Sequence, residues 1–375
     1  MDLELDDDQT ALVDAVRSVL AKEWRATSLR SLVERGTGAD GLWRSFVGLD
    51  WPALCVPEDG GGMGYGVVES ALVHEQCGRA VVPGPFFATT ALYVPMVAAL
   101  ADDEQRSALL GPVAGGETTG TVALTELVAD VVHDDAGRCT ISASPEGKGW
   151  RLRGTTRSVI DGASADHIVL PARLSDGGCT AFVVSGSAVT ATPVATTDAT
   201  RHLAHIDVDT VVDGATRLGL ADGSAAFVRP VDEAVVLLAA EVVGTCGTIL
   251  DVVLDHVRER EQFGVKIGSF QALKHRLADC YLDLEAARAS VRYASVALAE
   301  GATDASVAAS SAKALASDCA QRLGHEGIQM LGGLGFTWEH DMHLFVKRAM
   351  ASSLLLGTAE DHRQRTARLL GLVPA

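Results

Sequence analysis

Leu12, Val13, Val16, Val19 and Leu20 fall on one stripe at a 3.6-residue period, and the run Asp6 to Asp8 ahead of them can cap the helix they predict. The same period returns over residues 67–78. Between the two runs lies Pro57-Glu58-Asp59-Gly60-Gly61-Gly62-Met63-Gly64-Tyr65-Gly66, which resembles a nucleotide loop in composition only. A dinucleotide fingerprint needs a preceding strand and a βαβ frame, so these glycines read as a tight helix-to-helix connection. From about residue 119 to 212 the texture changes to short runs rich in Val, Thr and Ile, separated by Gly and Asp, a spacing that suits an antiparallel barrel or sandwich. Beyond residue 222 the helical period resumes. Pro230 sits where a first helical turn accepts proline, apolar residues continue through Val253, and residues 273–300 and 307–324 predict two further helices of bundle length. The expected class is α+β: an N-terminal helical domain (1–118), a central antiparallel β-domain (119–221) and a C-terminal helical bundle (222–375).

Composition narrows what such a chain can do. At 375 residues, with 47% hydrophobic and 21% charged positions, it can bury substantial cores. A net charge of −18 and the lack of a basic patch argue against a nucleic-acid partner. Apolar stretches such as residues 234–240 are interrupted by Glu233 and Glu241, which argues against membrane insertion, and the acidic start Met1-Asp2-Leu3-Glu4 is unlike a secretory signal. A cytoplasmic protein is expected. The seven cysteines are scattered singly with no C-x-x-C pair, so neither a disulfide framework nor a zinc site is indicated.

Two C-terminal segments carry more specific chemistry. The first runs from Arg258 through Arg260, Phe263 and Gly264 to Phe270-Gln271; the second is Gln329-Met330-Leu331-Gly332-Gly333-Leu334-Gly335-Phe336, followed by Leu355-Leu356-Gly357-Thr358. Arginine offers a planar fork for phosphate oxygens, and paired glycines let backbone amides approach a diphosphate. An R-x-x-F-G turn ending in F-Q, then Q-x-L-G-G-x-G-F, then G-T, resembles the flavoprotein acyl-CoA dehydrogenase family, whose helical, β, helical order with a C-terminal four-helix bundle would cover essentially the whole chain. The resemblance implies FAD as cofactor, with Arg260, Phe263, Gln271, Gln329, Gly332, Gly333, Thr125 and Thr358 as its contacts, and an acyl-CoA substrate. In that family the C-terminal positions grip the pyrophosphate and adenine end of an FAD whose flavin ring lies in a neighbouring subunit. Electron-transfer flavoprotein is the implied electron acceptor.

The family's α-proton is removed by a glutamate, since a thioester α-C–H needs a carboxylate base. Its usual position, just before the G-T pair, holds Leu356; the alternative position on the long helix, counted back from Phe263, holds Ala234. Glu233 is one residue away, about 100° around a helix. Val122-Ala123-Leu124-Thr125-Glu126 keeps the look of the family's A-L-T-E strand, but Leu127 to Val132 replaces the glycine and serine turn that follows. Ser158 and Ile160 stand where a flavin-facing Trp and a Thr are expected, and Glu360 replaces a customary Gln. Contacts offered to a neighbour's FAD survive while those serving the chain's own are eroded. The resemblance therefore implies a non-catalytic subunit in an α2β2 heterotetramer with a homologous, glutamate-bearing partner, an arrangement known from actinobacterial enzymes that shorten steroid side chains. Alternatives are an active homotetramer using Glu233 as a displaced base, a flavin monooxygenase of the same fold, and a non-enzymatic acyl-CoA-binding or scaffold protein.

Overall fold

The computed structural model describes residues 4–24, 26–36, 39, 41–133, 139–219 and 223–373. Asp6 caps α1 (Asp7–Glu23): its carboxylate accepts the Gln9 backbone N–H at 2.7 Å, and Val13, Val16 and Leu20 are buried along the predicted stripe. Helices α2 (Ala26–Arg35), α3 (Leu42–Val47) and α4 (Trp51–Leu54) close a small aromatic core in which Phe46 stacks on Trp51 at 4.5 Å and meets Phe86 edge-on at 5.2 Å. The glycine-rich run is a connection between helices, as expected, leading into α5 (Val67–Arg79). Its Gly62 approaches the Val56 carbonyl so closely that a Cβ would lie 2.1 Å from the oxygen. A π-helical segment (Ala88–Tyr93) continues as α6 (Val94–Leu100), followed by α7 (Asp103–Ala114).

The β-region runs β1 (Gly120–Val122), α8 (Thr125–His133), β2 (Ser142–Glu146), β3 (Gly149–Ile160), β4 (His167–Leu174), β5 (Cys179–Ser185), β6 (Thr190–Val194) and β7 (Leu203–Asp213). These strands form one sheet of order β1-β4-β2-β3-β7-β6 with β5 on the far edge of β4. The expectation of a wholly antiparallel arrangement is corrected here: β1 and β2 both run parallel to β4, while the other pairings are antiparallel. The physical reason is α8, which separates β1 from β2 and carries the chain across, so the two strands are not joined as a hairpin.

The C-terminal bundle comprises α9 (Val228–Glu259), a minimal hairpin of β8 (Glu261–Gln262) and β9 (Val265–Lys266), α10 (Gln271–Glu300), α11 (Ala305–Leu331), α12 (Gly333–Phe336), α13 (Met342–Leu354) and α14 (Ala359–Leu369). Helix α9 is long and apolar enough to cross a membrane by length and composition, yet most of its apolar stretch is buried inside this fold. It crosses α5 at backbone contact: a Cβ on Gly244 would fall 1.8 Å from the Glu75 carbonyl oxygen, and one on Gly78 2.0 Å from that of Glu241. Thr245 donates its hydroxyl to the Gly78 carbonyl at 3.0 Å across the same crossing.

Candidate functional site

Arg260, Phe263 and Gln271 lie together where α9 ends, turns through the β8-β9 hairpin and enters α10. Arg260 caps the end of α9, where its backbone leaves the helix for extended geometry, and its carbonyl accepts the Ile267 N–H at 2.9 Å. Phe263 is held at φ 55 in the turn and is 92% exposed, with Phe270 edge-on at 6.3 Å. Gln329, Gly332 and Gly333 form a second cluster at the end of α11, where Gly332 adopts φ 61 and ψ −136, a conformation that essentially only glycine reaches. Nothing lies within 4 Å of a Cβ built on either glycine, and Phe336 beyond them is 81% exposed. All six predicted residues are exposed, and among the described residues the side chains of Arg260, Gln271 and Gln329 have no hydrogen-bonding partner. His256 near the end of α9 senses the charge of His340 beyond α12, so the two clusters share one end of the bundle. An outward fork, two amides, an unshielded aromatic ring and an open diglycine suit the phosphate and adenine end of a dinucleotide held by another molecule.

The interior half is different. A cavity of about 290 Å³ between the sheet and the bundle is lined by Leu92, Leu124, Thr125, Ser158, Ile160 and Leu356, among others. Thr125 points no free hydroxyl into it, because its Oγ1 donates to the Arg157 carbonyl at 2.9 Å. Helix α8 occupies the sequence position of the missing glycine-serine turn and buries Leu127, Val128 and Val132 in the same core that holds Ala234 and Leu356. Arg368 on α14 ties it down through the Val132 carbonyl. A flavin ring with its pyrophosphate does not fit an apolar cavity plugged by a helix, so no chemical step can be drawn through this chain's own interior site.

Leu356 and Ser158 nonetheless keep left-handed backbones, with φ 56 and 57, conformations that cost about 1–3 kcal/mol each for such residues. The loop at Leu356 is clamped from two helices. His362 donates from Nε2 to the Leu356 carbonyl at 2.8 Å, burial pushing the imidazole down to about 4 and keeping it neutral. Lys313, fully buried on α11, donates to the carbonyls of Ser353 and Gly357 at 3.0 and 2.9 Å and to the Ser317 hydroxyl at 2.9 Å. Burial pushes its ammonium down to about 7, with only a partial offset from Asp361. A lysine depressed in the folded state releases its proton on folding between the folded and unfolded values, so stability rises with pH across that window. Lys313→Met should therefore flatten a rise in unfolding free energy between pH 7 and 10 that reaches a few kcal/mol at about 1.4 kcal/mol per unit, as read by urea titrations across pH.

Thr358 does not reach outward. It caps α14, donating its hydroxyl to the Asp361 carboxylate at 2.7 Å and accepting the Asp361 N–H at 3.2 Å. Ala234 is buried in the core, and the neighbouring Glu233 lines a different cleft, where Arg229 Nε pairs with it at 3.0 Å. Neither faces the cavity at Leu356. A group that sequence reasoning left unassembled joins the domains at the centre. Arg348 on α13 bonds Asp198 at 2.9 Å and Glu241 on α9 at 3.2 Å, and Arg201 also pairs with Glu241. Glu241 was legible as a buried carboxylate from its place in an apolar run, but its partners lie 40 and 107 residues away.

The fold and the surface clusters define a flavoprotein dehydrogenase scaffold. Residues 6–117 match the family described as acyl-CoA dehydrogenase, N-terminal domain, and residues 222–371 its C-terminal domain. The chain is 32% identical to acyl-CoA dehydrogenase IpdE2 of Mycobacterium tuberculosis over 96% of both sequences, and equally to IpdE2 of Mycolicibacterium smegmatis over 96% of this chain and 98% of that one. It belongs to the acyl-CoA dehydrogenase family, oxidoreductases whose cofactor is FAD. Among solved structures, the ChsE4-ChsE5 complex of Mycobacterium tuberculosis superposes with a TM-score of 0.90 at 27% identity over 100% of both chains. The Tcur3481-Tcur3483 steroid dehydrogenase variant does so with 0.84 at 30% identity over 98% of both.

Proposed function

We propose that this chain is the non-catalytic subunit of a heteromeric acyl-CoA dehydrogenase and completes the FAD site of a homologous partner that carries the glutamate. The observation that carries this reading is the contrast between an open, exposed cluster at Arg260, Phe263, Gln271, Gln329, Gly332 and Gly333 and an interior site closed by α8. Arg260 would pair with pyrophosphate oxygens, the backbone at Gly332 and Gly333 would approach the diphosphate, and Phe263 would wall the adenine end. FAD would supply the hydride-accepting chemistry in the partner, and this chain's residues would bind and orient it. An α2β2 assembly is supported by the two complexes above, whose printed descriptions pair unlike subunits, one of them as a steroid enzyme. A steroid-type acyl-CoA is accordingly the substrate class, with electron-transfer flavoprotein as acceptor and the cytoplasm as location. Segments 1–118, 119–221 and 222–375 serve as its three domains.

The reading with Glu233 as a displaced base has less support, because that carboxylate lines a cleft sharing no residue with the cavity at Leu356. Co-expression with the adjacent homologous gene should yield a yellow complex with one FAD per two chains, while this chain alone should purify without flavin. Yellow, active protein from this chain alone would overturn the proposal.

A further inference from the structure

The largest cavity in the described part of the molecule is not the one at Leu356. A cleft of about 750 Å³ opens between the glycine-rich connection, α5, α6, the start of α9 and the end of α10, within the ~300–1,000 Å³ range of small-molecule sites. Helix α6 and the π-helical turn before it separate it from the interior cavity: Thr90 and Val94 face the cleft, whereas Leu92 faces the cavity. Its walls are small or ring-locked, including Pro95, Ala98, Ala99, Ala226, Pro230 and Ala299. No long flexible side chain stands on those walls to fold in and fill it, so the space is broad and largely preformed.

The polar groups are few and placed at one side. Glu233 has a side chain only 18% exposed, and its one partner among the described residues is Arg229, which is 54% exposed and uses only its Nε. The terminal guanidinium nitrogens and the second carboxylate oxygen are left to meet a ligand. Burial raises the Glu233 carboxyl above its ordinary range, partly offset by Arg229. Glu58 lines the opposite rim, so two carboxylates face one guanidinium in a chain of net charge −18. That balance disfavours anions, the several phosphates of a coenzyme A thioester above all.

We infer that this cleft is a second small-molecule site for an uncharged ligand with a rigid alicyclic ring body, whose hydroxyl or keto group meets the Glu233–Arg229 pair while its rings lie on the alanine and proline walls. A rigid ring system matches a broad cleft with fixed walls, whereas a thin flexible chain would leave much of it unfilled and lose more conformational freedom on binding. The inference does not depend on where FAD binds, because the cleft shares no residue with the interior cavity or the exposed C-terminal clusters.

The test uses the full chain, alone or with its partner subunit, and calorimetric titration with testosterone as an uncharged ring probe, deoxycholate as a charged ring and decanol as an uncharged chain. Saturable testosterone binding is expected, with deoxycholate and decanol each at least tenfold weaker. Ala98→Trp and Ala299→Trp, which fill the cleft from opposite walls, should each weaken testosterone binding at least tenfold without changing the flavin content of the complex. Glu233→Gln should weaken it roughly tenfold, the scale of a hydrogen bond to a charged group. Two cleft variants, each checked for folding by its melting transition, keep the test decisive if one does not fold. Absence of saturable testosterone binding, equal binding of deoxycholate, or binding untouched by whichever tryptophan variants fold would overturn the inference.

Discussion

Gly332→Asp in the co-expressed complex is expected to remove its FAD while leaving the protein folded. Two effects add at this residue. Its backbone, at φ 61 and ψ −136, is strained for any side chain by about 1–3 kcal/mol. The new carboxylate would also stand where this reading places a diphosphate, and like charges repel. Together they should weaken FAD binding by two orders of magnitude or more, seen as loss of the flavin absorbance per complex. Folding should survive because nothing lies within 4 Å of the added Cβ and the glycine is exposed. Unchanged flavin content would show that the diglycine is only a helix terminus and would remove the surface cluster as a cofactor contact.

Glu241→Ala should produce the largest loss of stability of any single change considered. It leaves the buried guanidiniums of Arg201 and Arg348 with Asp198 as the only remaining carboxylate of the network. Removing one partner of a buried pair costs about 3–5 kcal/mol, because the other charge stays buried without compensation. Denaturant unfolding should shift by that amount, and the three regions joined by the network should lose cooperativity together. The same network sets an acid limit. Burial would raise the Asp198 carboxyl, but Arg348, Thr200 and Arg201 together hold it below the ordinary range. A depressed carboxylate contributes stability above its unfolded value and loses it as pH falls through that value toward the folded one. Acid unfolding of the wild type should therefore begin below the ordinary carboxylate range and should be steeper than in a variant lacking Asp198.

Much of the candidate site was legible because its motifs are local. The turn from Arg260 to Gln271 and the run from Gln329 to Gly333 each lie within a dozen residues, and the structure presents both at the surface. Thr358 was harder to place. A threonine before an acidic helical turn serves equally as an N-cap, and here the Asp361 backbone and carboxylate engage its hydroxyl. Glu233 and Ala234 show the same limit at single-residue scale, since the direction of each depends on the rotation of α9 against its neighbours. Residues 127–132 were read only as a lost turn; that they belong to a helix plugging the interior depends on the core that receives Leu127 and Val128.

The sequence by itself determined the helical, β, helical order, the cap at Asp6, the character of the glycine-rich connection and the surface motifs, because periodicity and turn chemistry act over a few residues. Only the tertiary structure decided the parallel pairing of β1 and β2 with β4, the closing of the interior cavity, the ammonium of Lys313 on the Leu356 loop and the Arg348 network. Each of these joins positions far apart in the chain, and burial and charge pairing take effect only once the fold brings such groups together.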